Sequence, residues 1–184
     1  MNRRSLLQIL GASLVSGGAR AATPAKSKKT VEELQRDWRL LLAKDANIAA
    51  DPSPVNRSDD VWRKLLPEDS YRVLRHEGTE RPFTSPLNKE HRPGVFTCLG
   101  CSLPLFTSEM KFESGTGWPS FFTTIPNAFA TKTDTLLMMA RTEYHCAKCG
   151  GHHGHVFEDG PQPTGERWCN NGVALKFLPK DAKA

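Results

Sequence analysis

The segment from His145 to Phe177 concentrates the residues best able to do chemistry, with three of the chain's five cysteines and four of its six histidines. Cys146 and Cys149 form a C-x-x-C pair, and a second pair lies upstream at Cys98 and Cys101. A C-x-x-C closed on itself as a disulfide is a small, strained ring, whereas four thiolates from two such turns converge readily on a tetrahedral ion. Gly100 and Gly150 suit these turns, because glycine reaches positive φ without a Cβ clash. The spacing predicts one structural Zn²⁺ per chain, held by Cys98, Cys101, Cys146 and Cys149, with no coordination position left for water. The competing reading, redox activity in one pair, gives no reason for a matched twin.

Cys169 is then left over. It stands two residues after Arg167 and two before Asn171, and residues two apart on an extended strand share a face. A guanidinium beside a thiol favours the thiolate and lowers its pKa from a free value of ~8.5, and the thiolate is the nucleophile. His152 and His155, in the preceding segment, can supply a proton or a hydrogen bond to an oxygen that gains charge. Burial as a small apolar residue is the competing role for a lone cysteine.

These residues need a scaffold. Thr30 and Glu33 form a capping-box signature ahead of an apolar face of Val31, Leu34, Trp38, Leu41 and Leu42, which predicts an amphipathic helix. DPSPVNR over 51–57 reads as a linker. Ser58 then caps a second helix through Val61, Trp62, Leu65 and Leu66, and Pro67 opens a third, short one through Tyr71, Val73 and Leu74. After His76 the composition turns to Gly, Pro, Thr and Ser. Strands are expected near 94–97, 105–106, 136–141, 154–158 and 172–177, with turns at 160–161 and 163–165 positioning the strand that bears Cys169. The expected fold is mainly β, a small antiparallel domain with short helices at its N-terminal edge.

At 184 residues the chain holds one domain plus extensions. The first 22 residues begin with Arg3-Arg4, continue through an apolar stretch too short to span a bilayer of ~30 Å, and end in small residues. This pattern is similar to a twin-arginine export signal cleaved near Ala21 or Ala22. It predicts a folded, metal-loaded protein delivered to the periplasm, with no stable membrane insertion after cleavage. Removing Arg3, Arg4 and Arg20 takes the formal charge of +5 to +2, a balance that gives no reason to expect nucleic-acid binding. The division expected is a signal over 1–22, an extension with one helix and a linker over 23–57, the domain over 58–178 and a tail over 179–184.

G-H-H-G-H-V-F-E-D-G-P-Q-P-T-G-E-R-W-C-N-N over 151–171 resembles the signature of the type B methionine sulfoxide reductases, enzymes that reduce the R epimer of methionine sulfoxide. So do G-T-E-R-P-F over 78–83 and S-G-T-G-W-P-S-F over 114–121, and both C-x-x-C pairs stand where zinc-binding members carry theirs. The resemblance implies a zinc-stapled, Mss4-like fold of two sheets. It implies that Cys169 attacks the sulfoxide sulfur and becomes a sulfenic acid while His152 and His155 orient and protonate the oxygen. Asn171 would assist that shell, Arg167 would support the thiolate, and Asp159 would hold a histidine in one tautomer. Trp118, which composition alone would assign to the core, would pack against the substrate S-methyl group. His153 is expected to face away.

Two positions depart from the family pattern. Thr116 stands where many members have a resolving cysteine, so Cys169 would be regenerated by an external thiol, thioredoxin-like or glutathione-like, acting on a monomer whose substrate is methionine-R-sulfoxide, free or in oxidised proteins. Gly172 stands where serine is usual, which removes a hydroxyl from the edge of the site. Two rival readings remain on the sequence: a zinc-organised binding module in which Cys169 is incidental, and a thiol peroxidase or disulfide oxidoreductase. The thioredoxin-like βαβ pattern that the last would favour is missing.

Overall fold

Aromatic side chains on alternating strand positions build the centre of the molecule, and the strands that carry them form two antiparallel sheets. A computed structural model describes residues 29–44, 46, 48, 50–135 and 141–181. The expected signal over 1–22 lies outside them. No helix among the described residues is long and apolar enough to cross a membrane.

The smaller sheet has the order β2-β1-β9, from β1 (Gly94–Cys98), β2 (Pro104–Thr107) and β9 (Leu175–Pro179). The larger has six strands, β3 (Lys111–Phe112), β4 (Ser120–Phe121), β5 (Phe129–Asp134), β6 (Arg141–Cys146), β7 (His152–Phe157) and β8 (Arg167–Asn170), in the order β3-β4-β8-β7-β6-β5. The expected mainly β architecture of two sheets with short N-terminal helices is what forms. Phe106 of β2 stacks on Phe121 of β4 with ring centroids 3.9 Å apart, and Phe96 of β1 meets the same ring edge-on at 5.1 Å. The chain continues through Phe129, Tyr144 and Trp168. This cluster joins the sheets, since Phe96, Phe106, Phe121 and Tyr144 are all fully buried.

The helices α1 (Val31–Arg36), α2 (Asp59–Leu65) and α3 (Glu68–His76) pack at the N-terminal edge. Thr30 makes the predicted capping box with Glu33, and Leu34, Trp38 and Leu41 are buried as the pattern requires. The periodic run is not one helix, however. It breaks at Asp37 and continues as a 3₁₀ turn over Trp38–Leu41. Ser58 is the N-cap of α2 but makes no side-chain cap bond, and Pro67 occupies the N-cap of α3 rather than its first turn.

Other differences lie in the sheets. The segment from Gly172 begins as a 3₁₀ turn over Gly172–Ala174, and only from Leu175 does it pair with β1. Of the strand expected over 136–141 only Arg141 falls among the described residues, where it opens β6. Strand β5, F-A-T-K-T-D, went unpredicted because it has no apolar run. It is a largely exposed edge held by its six-residue pairing with β6.

Replacing Phe106 by Ala removes a ring that both sheets grip. The expected cost is about 3–5 kcal/mol of unfolding free energy, seen as an earlier chemical-denaturation midpoint. A loss under about 1 kcal/mol would show that the inter-sheet stack is not the main seam.

Candidate active site and cysteine cluster

Cys98 closes β1 and Cys146 closes β6, so each knuckle begins where a strand ends. Backbone bonds from Ser102 N–H to Cys98 O (2.8 Å) and from Gly150 N–H to Cys146 O (2.9 Å) fold the two turns alike; Gly150 has φ +66° as expected, but in the first turn the left-handed residue is Ser102 (φ +61°) and not Gly100. The Arg75 guanidinium reaches across from α3 to donate to Cys149 O at 2.8 Å. The four Sγ atoms lie within 4.8 Å of one another, with Cys98 to Cys149 at 3.6 Å and Cys101 to Cys146 at 3.5 Å. These are not disulfides, and all five cysteines are free. A tetrahedron with metal–sulfur bonds of about 2.3 Å has edges of about 3.8 Å, so the spacing fits a single ion.

Elsewhere, β8 places Cys169 between two neighbours, with Ser120 of β4 opposite on one side and His155 of β7 opposite on the other. Directly opposed residues of an antiparallel pair have Cβ atoms about 4.5–5.5 Å apart, so His155 and Cys169 share one face at contact range. Gly154 is required here, because a Cβ at that position would come 1.9 Å from Cys169 O and force β7 off β8.

His152 joins them through an irregularity. Tyr144 pairs with Gly154 but His145 pairs with His152, which leaves His153 without a partner across the ladder. This bulge undoes simple alternation. His152 comes to the face of His155, with ring centroids 5.7 Å apart, and His153 turns into the core. There His153 is fully buried, and its Nδ1 and the Tyr144 hydroxyl both donate to Asn170 Oδ1, at 3.2 and 3.0 Å. Burial pushes the His153 pKa down to about 4, so its ring is neutral and structural.

A cavity of about 380 Å³ opens over this face, lined by Cys169, His152, His155, Trp118 and Asn171 among others. These five predicted residues share the cavity, whereas Arg167 does not line it and acts on Cys169 from beside it, and Asp159 stands apart from both histidines. Asp159 touches no histidine and instead clamps Arg167 by two bonds, to Nε at 2.7 Å and Nη2 at 2.9 Å, while the guanidinium lies 4.2 Å over the Phe157 ring. The histidines are held by carboxylates that the sequence reading missed. Glu143 accepts from His152 Nδ1 at 2.9 Å and Asp134 from His155 Nε2 at 2.8 Å. Lys132 in turn pairs with Glu143 at 3.2 Å, and Arg141 pairs with Asp134. Asp134 and Lys132 sit on the unpredicted β5, and only its pairing with β6 carries them to the site.

The thiol's electrostatics also differ from expectation. Burial dominates and raises the Cys169 pKa above the ordinary thiol value, while the Arg167 charge and hydrogen bonds from Thr116 and Arg167 oppose it without reversing it. Desolvation penalises the anion more than one partly buried cation already paired to Asp159 restores. Burial likewise depresses the His155 pKa against the pull of Asp134, which keeps the ring neutral near neutrality. Thr116 belongs to a hydroxyl chain, from its Oγ1 to Ser114 Oγ (2.9 Å), to Ser120 Oγ (2.8 Å), to Trp118 O (3.1 Å).

The SelR domain model matches residues 66–179. Peptide methionine sulfoxide reductase MsrB of Methanosarcina barkeri is 51% identical over 128 residues, which are 69% of this chain and 90% of that protein. The chain belongs to the MsrB family. MsrB of Hahella chejuensis is 49% identical over 131 residues, 71% of this chain and 94% of that one, and MsrB of Pseudomonas putida (strain W619) is 49% identical over 128 residues, 69% and 96%. The matched region holds every residue of the cavity and of the cysteine cluster. In an MsrB setting the carboxylates on β5 and β6 could have been sought as histidine partners, but nothing in their local sequence marks them.

Site-resolved alkylation of Cys169 by iodoacetamide, followed by mass spectrometry across pH, should show a midpoint above that of a free thiol, because the folded chain favours the protonated form. Arg167→Ala removes an opposing charge and should move the midpoint further up. A midpoint that falls in the variant would reverse this electrostatic assignment.

Proposed function

We propose that the chain reduces the R epimer of methionine sulfoxide to methionine, with Cys169 as nucleophile and a sulfenic acid as intermediate. The observation that carries this reading is the pairing of Cys169 with His155 beneath a cavity walled by Trp118 and Asn171. An indole wall offers the S-methyl group a sulfur–aromatic contact, and the two histidines stand where a polar oxygen would project.

Cys169 is a thiol near neutral pH, so its proton must leave as it attacks. His155, neutral and directly opposite, is the base in reach. The thiolate attacks the sulfoxide sulfur while His152 and His155 deliver that proton to the oxygen, which also accepts a hydrogen bond on this face. The sulfur–sulfur bond so formed and the substrate's sulfur–oxygen bond both break as the hydroxyl passes to Cys169 Sγ, so methionine leaves reduced by two electrons and the enzyme is oxidised by two, to Cys–SOH. Glu143 fixes Nδ1 of His152 and Asp134 fixes Nε2 of His155, so each ring presents its other nitrogen to the reaction. Arg167, oriented by Asp159 and Phe157, stabilises the developing thiolate.

Thr116 cannot capture the sulfenic acid, and the four other cysteines are committed to the knuckles. A first external thiol therefore displaces water from Cys–SOH, and a second releases Cys169 and leaves as disulfide. The Arg3-Arg4 leader supports export to the periplasm as a folded protein, where that thiol would come from a thioredoxin-like or glutathione-like donor. In the cysteine cluster Cys98, Cys101, Cys146 and Cys149 would hold Zn²⁺. With four sulfur ligands its contribution is to fix the turns, and no reaction step passes through it.

Given separated epimers and dithiothreitol, the protein should consume the R form only, and Cys169→Ser should abolish turnover. With substrate but no thiol, one thiol per chain should be lost and dimedone should label Cys169. Loss of two thiols to a Cys169 disulfide would refute the recycling route. Elemental analysis should find one zinc per chain, and Cys146→Ser should lose it together with roughly 10 °C or more of Tm. A metal-free wild type of unchanged Tm would remove the metal from this account.

A further inference from the structure

Glu80 takes no part in the chemistry above, yet both of its carboxylate oxygens and both of its backbone polar groups are bonded around the site. The residue is buried, at 5% exposure, and does not itself line the cavity. The carboxylate accepts from two successive backbone amides, Gly172 N–H at 2.5 Å and Val173 N–H at 3.1 Å. Its own backbone N–H donates to Asn171 Oδ1 at 2.9 Å, and its carbonyl accepts from Trp118 Nε1–H at 3.2 Å. One residue of the 78–83 segment thus grips the chain just past Cys169 and fixes two side chains of the cavity, Asn171 and Trp118.

The fit around this grip is close. A Cβ on Gly172 would fall 1.9 Å from Ser85 Oγ, 2.6 Å from Ser85 Cβ and 3.2 Å from Glu80 Oε1. The space that a side chain at 172 would need is filled by the Ser85 hydroxyl, which also accepts from Leu87 N–H at 3.2 Å. Gly172 therefore does not leave a hole at the edge of the site. A hydroxyl arrives there from a different segment, and the bare glycine lets Glu80 close on both amides.

We infer that Glu80 is a positioning residue for the reaction: its buried carboxylate, seated against Gly172 and Ser85, sets where Trp118 and Asn171 stand relative to Cys169. This rests on the reductase reading for its rate effects but not for its structural ones. A buried acceptor that loses its role leaves two amides unpaired, and a displacement of about 1 Å at the wall can cost on the order of 100-fold in rate.

The test compares full-length wild type, Glu80→Gln and Glu80→Ala by turnover of R-methionine sulfoxide, normalised to the folded fraction, and by the NMR signals of the Trp118 indole N–H and Asn171 carboxamide. Glu80→Ala should shift both signals and lower kcat/KM by on the order of 10- to 100-fold. Glu80→Gln, whose single carbonyl oxygen can serve one amide well, should fall between. If Glu80→Ala does not fold, Gly172→Ala supplies the same displacement from the other side and should move the same two signals, and Ser85→Gly added to it should return them. Unmoved signals with unchanged kcat/KM in the folded variants would overturn the inference. Absence of turnover in the wild type would instead remove the reductase reading, and the NMR arms would still decide whether Glu80 sets the wall.

Discussion

Convergence of four sulfurs from two turns that are 45 and 51 residues apart in their closest pairs is the constraint on which the rest depends. One turn ends β1, in the smaller sheet, and the other ends β6, in the larger. Closing them together fixes the end of β6 and its knuckle, and after Cys149 the chain has only Gly150 and Gly151 to cross before β7 begins at His152. The histidine pair is therefore placed by the cysteine cluster, even though no cysteine of the cluster touches the cavity. Long-range closure of this kind limits the conformations open to the unfolded chain, which suits a domain whose strands are short and joined by long loops.

Much of this was legible because it is local. The capping box at Thr30 and each knuckle need four residues, and β1 shows itself as a short apolar run before a turn. The cavity residues were legible through a long motif, which carries information that spacing alone does not. Simple alternation would have grouped His153 with His155 and left His152 outside. Only the unpaired residue in the β6–β7 ladder, invisible in sequence, exchanges their faces.

What could not be read depends on pairing between distant segments. Strand β5 has the composition of a loop and becomes a strand because β6 offers it a ladder of hydrogen bonds, so Asp134 had no visible claim to a histidine. Asp159 did have one, by its position in the motif, and the structure spends it on Arg167 instead. The sign of the Cys169 shift failed for a related reason. Proximity in sequence identified the favourable charge, while the opposing desolvation is a property of everything packed around β8. Gly172 looked like a loss for as long as Ser85, 87 residues earlier in the chain, was out of view.

The hydroxyl chain behind Cys169 has a consequence for how the nucleophile can change charge. With Ser120 donating to Trp118 O, the rotors line up so that Thr116 Oγ1 is free to accept from S–H. Turning each hydroxyl about its own C–O bond reverses the line, and Thr116 then donates to a bare sulfur while Trp118 O gives up its donor. No heavy atom has to move. The backing of the sulfur is thus polarisable in both directions, able to follow the proton off the thiol and back again as fast as hydroxyl groups spin.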